Sequence, residues 1–135
     1  MWMRVVGAAA VLVSAAVHLY LWFTGFRDLK IVGPSFMLNA VGGAVIAVLL
    51  VTWRSWVPAL LTAGFGVSTL GAFILSTTVG LFGLHEQWVG WAVWTAAVAE
   101  VVAIVVGALL LVRDLHASST GQLQNRPSFR RANLH

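Results

Sequence analysis

Few side chains in this sequence are able to do chemistry, and three of them lie inside apolar stretches. Glu100 stands twelve positions after Trp88 in a run of Ala, Val and Trp. At about 1.5 Å per helical residue it lies roughly 18 Å from the start of that run. In a membrane this is near the midplane, where an ionised carboxylate is costly unless paired. No Lys or Arg reaches that depth in any apolar stretch. A hydrogen-bonded carboxyl group is therefore expected, with Ser14, Ser68 and Thr69 at similar depth. Proton or cation handling is the functional reading, and a hydrogen bond between helices is the structural one.

His18 stands eight residues before Phe26, and Asn39 eight residues after Ile31. Both then lie about 12 Å below the same face. They are expected to hydrogen-bond to each other or to line a ligand path. His85 and Glu86 are adjacent in a short polar break that follows Gly80 and Gly83. Such a pair suits a divalent cation or a proton, but a structural zinc site takes four ligands. No metal or other cofactor is expected. A bis-histidine haem needs matched depths, and His18 and His85 differ by roughly two helical turns. The chain has no cysteine, which excludes disulfides and thiolate metal sites. It carries no nucleophile–base–orienter set, P-loop or dinucleotide fingerprint. A non-enzymatic protein is the expectation.

The elements that must position these residues follow from composition. The chain has 135 residues, 60% hydrophobic and only 9% charged. Soluble domains carry roughly 25% charged residues. The expected solvent is lipid. Four apolar stretches, at about 4–26, 31–53, 57–82 and 88–112, each exceed the ~20 residues that span a bilayer as a helix. Short polar breaks separate them. The fold class is therefore all-α, an integral membrane four-helix bundle over residues 1–115 with up-down-up-down topology. The first stretch is long for a cleaved signal and is expected to remain. Residues 116–135 are polar and are expected to form a disordered cytoplasmic tail, whose Arg126, Arg130 and Arg131 suit anionic headgroups.

Charge sets the orientation. With the N-terminus inside, Arg4, Arg54, Arg113, Arg126, Arg130 and Arg131 lie in the cytoplasm, against Arg27 and Lys30 outside. Six against two favours both termini in the cytoplasm. Trp2, Trp53 and Trp56 then fall at the inner interface, and Trp88 and Trp91 at the outer one. The net charge of +4 is spread over the ends of apolar runs. No basic face results, so nucleic acid is not an expected partner.

Small residues recur every four positions on two stretches, which places them on one helix face. Gly64, Ser68, Ala72, Ser76 and Gly80 form one stripe; Ser35, Asn39, Gly43 and Ala47 form the other. Small residues let helices approach closely in lipid. These stripes are expected to pack the bundle, or to seat a second copy or a larger membrane complex.

The segments Val32 to Ala40 and Ser76 to Glu86, together with His18, resemble four-helix membrane proteins of high-GC actinobacteria that have no established activity. The resemblance spans residues 1 to about 115. It implies the four-helix fold and a bacterial plasma membrane, and supplies no catalytic residues. The leading functional expectation is an accessory or scaffolding subunit of a membrane assembly. The alternative is a small dimeric proton-coupled carrier that uses Glu100, with His18 and Asn39 along its path. A further alternative is outer-face binding of metal, haem or quinone through His18 and His85.

Overall fold

A computed structural model describes residues 1–125, which form four long helices. Helix α1 spans Trp2–Leu21 and runs into a π-helical turn at Trp22–Phe26. Helix α2 spans Val32–Thr52, α3 Trp56–Thr78 and α4 Trp91–Gln124. All four are long and apolar enough to cross a membrane. Ser55 caps α3 by accepting the Val57 amide at 3.4 Å, and Pro58 occupies the first turn, where its missing N–H costs nothing.

Two boundaries differ from the hydropathy reading. Helix α3 ends at Thr78, not near residue 82. Gly80 (φ +82°), Phe82 (φ +50°) and Gly83 (φ +80°) all leave helical geometry. Paired amide–carbonyl bonds of 2.9 Å between Leu81 and Leu84 close a tight turn there. Helix α4 continues to Gln124, twelve residues past its expected end at 112 and through the first part of the expected tail. Its polar residues bond back along the helix. Ser118 and Thr120 hydroxyls donate to the carbonyls four residues earlier at 2.9 and 3.0 Å. Arg126, Arg130 and Arg131 lie outside the described residues.

Helix α1 packs against α2 and α4, and α3 packs against α4. Helices α2 and α3 are joined by a short link but touch only sparsely along their length. The core is built mainly from alanine, with Ala8, Ala47, Leu50, Ala59 and Leu110 in one cluster. Ala10, Val11 and Ala103 form another. Larger apolar side chains point outward: Val41, Val48, Val67, Val98 and Val105 are all more than half exposed. In water so much exposed apolar surface would drive association.

Close approach between α3 and α4 falls on glycines outside the two stripes. A Cβ on Gly66 would stand 2.7 Å from the Glu100 carbonyl oxygen. Gly66 therefore sets the distance between α3 and α4 beside that carboxyl group. Gly107 meets Ala63 equally closely.

One end of the bundle is tied by Arg4, which is only 3% exposed. Its guanidinium donates to the carbonyls of Leu50 at 3.0 Å and of Trp53 and Ser55 at 3.3 Å. It also pairs with Asp114. The single side chain thereby joins α1, the end of α2, the α2–α3 link and α4. The sequence reading treated Arg4 only as an orientation charge. The signal it missed is Asp114, the acid two residues past the end of the last apolar stretch.

Candidate functional site

Because α2 and α3 stand apart, a cavity of about 710 Å³ opens between them and reaches α1 and α4. Its walls are mostly apolar. Phe26, Phe36, Phe65, Phe73 and Phe82 supply aromatic surface. Ile46, Leu60 and Leu61 line the part nearer the Arg4 end. At the opposite end the turn after α3 contributes Leu81, Phe82 and Leu84. Ser76 pins that turn: its hydroxyl donates to the Leu84 carbonyl at 3.3 Å and accepts from the Glu86 amide at 3.2 Å.

The four residues expected to form an intramembrane polar site, His18, Asn39, Ser68 and Glu100, all line this one cavity. Glu100 is 2% exposed. Its Oε1 accepts the Ser14 hydroxyl at 3.0 Å. His18 Nδ1 lies 2.8 Å from the Ser14 carbonyl. A carbonyl can only accept, so Nδ1 carries the proton, and Nε2 of the neutral ring keeps its lone pair. Ser14 thus joins the carboxyl group to the imidazole from two of its own groups. The Phe36 ring meets the imidazole edge-on at 5.1 Å between centroids.

His18 and Asn39 share the cavity but do not pair. Asn39 Nδ2 donates to Thr69 Oγ1 at 2.9 Å, and Thr69 donates onward to the Phe65 carbonyl at 2.8 Å. That onward bond uses the hydroxyl proton. Thr69 must therefore accept from Asn39, which fixes the orientation of the amide. Asn39 Oδ1 is left buried with no partner. Thr69 was placed at this depth by the sequence, but its link to Asn39 required the α2–α3 geometry.

Other expected residues fall elsewhere. Gly64, Ser68 and Ala72, assigned to packing, line the cavity instead. A Cβ on Gly64 would meet nothing within 4 Å, and the Ser68 hydroxyl returns to the Gly64 carbonyl at 2.7 Å. Their face turns toward the gap because α3 closes on α4 through Gly66. Gly43 does pack, against Ala15 and Phe65. Glu86 lines the cavity near the turn. The His85 ring lies against Gly80 and is not part of the lining, so His18 and His85 do not converge on one ligand. Among the described residues no group of three or more His, Asp or Glu is placed to hold a metal. Comparison with known families, curated proteins and solved structures found no match.

Proposed function

We propose that the chain is a multi-pass protein of a bacterial plasma membrane that binds a lipophilic small molecule between α2 and α3. In this reading the helices run up-down-up-down with both termini cytoplasmic. The length and apolarity of all four helices support insertion. So do exposed tryptophans near both ends, Trp2 and Trp53 at one, Trp91 and Trp94 at the other. The observation that carries the binding role is one apolar cavity bordered by Glu100, His18 and Asn39. An apolar chamber with a few convergent polar groups is the usual form of a small-molecule site. The role this supports is binding or carriage.

The test is extraction of the protein purified gently from its native membrane. The wild type should yield a bound apolar molecule near one equivalent, identified by mass spectrometry. Ala72→Phe, whose ring would intrude into the chamber, should lower that yield while melting like the wild type. Equal recovery from both proteins counts against the site.

A second reading is an accessory subunit whose α2–α3 gap seats a helix from a partner or a second copy. The exposed Gly64 and Ser68 favour it, since small residues admit a close helix. Gly64→Leu should then change the migration of the native assembly in mild detergent. Unchanged migration removes this reading.

A further inference from the structure

We infer that the molecule the cavity selects is a lipophilic amine bound as its ammonium ion, with the charge at Glu100 and the apolar body among the phenylalanines. This rests on the reading of the cavity as a small-molecule site and names the class of its ligand.

The groups that the wall leaves open are acceptors. Asn39 Oδ1 is buried without a partner. Asn39 holds its nitrogen toward Thr69, which spends its own proton on the Phe65 carbonyl. His18 has its Nδ1 proton committed to the Ser14 carbonyl, which leaves Nε2 as an acceptor. Glu100 receives one hydroxyl, from Ser14. A buried acceptor without a donor is costly. A ligand headgroup with several N–H donors would relieve that cost, and a headgroup rich in acceptors would add to it.

Charge points the same way. Two carboxyl groups, Glu100 and Glu86, line the cavity, and among the described residues no Lys or Arg does. Arg4 is consumed at the far end of the bundle by Asp114 and three carbonyls. Among the described residues Glu100 has no ion-pair partner. A ligand cation would supply it. The volume of about 710 Å³ falls inside the range of roughly 300–1,000 Å³ that holds drug-sized molecules. Ile46, Leu60 and Leu61 offer an apolar extension toward the Arg4 end for the ligand's hydrocarbon part.

Three probes of equal body separate the headgroup classes: phenylbutylamine, phenylbutanol and phenylbutyrate. Their binding to the full chain in mild detergent is measured by calorimetry, with titration into protein-free micelles as the blank for partition. The amine should bind the wild type about tenfold more tightly than the alcohol, the scale of a charged over a neutral hydrogen bond. The butyrate should bind least. Glu100→Gln keeps an acceptor for Ser14 and should bring the amine down to the affinity of the alcohol. Asn39→Ala should weaken the amine several-fold without touching the carboxyl group. An alcohol that binds as tightly as the amine overturns the amine assignment but leaves the cavity as a site for a neutral ligand. So does an amine affinity that survives Glu100→Gln. If all three probes bind the wild type no better than protein-free micelles, the cavity reading itself fails, and the amine assignment with it.

Discussion

Arg4 and Glu100 are both buried ionisable side chains on long apolar helices, yet their surroundings are opposite. Arg4 meets three carbonyls and a carboxylate, which together engage both terminal nitrogens of its guanidinium. Glu100 meets a single serine hydroxyl and borders a cavity. The first arrangement occupies both terminal nitrogens, and a group added there would have to displace one of these partners. The second is incomplete, and an added donor would finish it. A fully partnered buried charge ties helices together, whereas a partly partnered one is where a ligand gains most. The contrast separates the bundle into an end that holds it together and a half that is free to bind.

Mutations at the two places should therefore differ in what they change. The largest effect is expected at the clamp. Arg4→Ala removes the donor of three carbonyls and leaves Asp114 only its bonds to Arg113, and should cost about 3 kcal/mol of stability, read as a lower melting temperature in detergent. Arg4→Met combined with Asp114→Asn should cost less than Arg4→Ala alone. If it costs more, the pair is not the element that matters. Gly66→Ala comes next. Its new Cβ presses on the Glu100 carbonyl, so α3 must shift from α4, at about 1–3 kcal/mol. It should also alter ligand binding, because the shift moves the carboxyl wall. A stable Gly66→Ala protein with unchanged binding would show that the two helices are not held at this distance.

Ser76→Ala removes both bonds that pin the turn at residues 81–86 and should cost about 1 kcal/mol. Amide hydrogen exchange should quicken at Leu84 and Glu86 and stay unchanged at Leu50. Uniform exchange across both ends would erase the distinction between a tied end and a looser one. The smallest stability effect is expected at Glu100 itself. Glu100→Gln retains an acceptor for the Ser14 hydroxyl and should change stability by less than about 1 kcal/mol. A drop as large as that of Arg4→Ala would make Glu100 a structural residue like Arg4.

Several features of the site were legible in the sequence because depth along a helix is a matter of counting. Glu100, Ser14, Ser68 and Thr69 were placed at one level by the 1.5 Å rise, and Ser14 does meet Glu100. His18 and Asn39 were placed together and do border the same cavity, though each bonds elsewhere. Which face of a helix turns inward was not legible. Every face of these helices is apolar, and in lipid apolarity does not mark the interior. The four-residue stripe on α3 therefore gave Gly64 and Ser68 as packing residues, while the contacts fall to Gly66 and Gly107. The clamp was missed because Arg4 and Asp114 stand 110 positions apart and no local pattern links them.

The sequence by itself determined the number of helices, their approximate spans and the level of each polar residue, since these depend on hydropathy and residue count along the chain. Tertiary structure decided which side chains complete one another. It drew Asp114 onto Arg4, turned α3 to α4 through Gly66, and so left α2 and α3 apart with Glu100 on the wall between them. Those outcomes depend on rotations and distances between helices, which are set by close contacts at a few small residues rather than by the apolar character the helices all share.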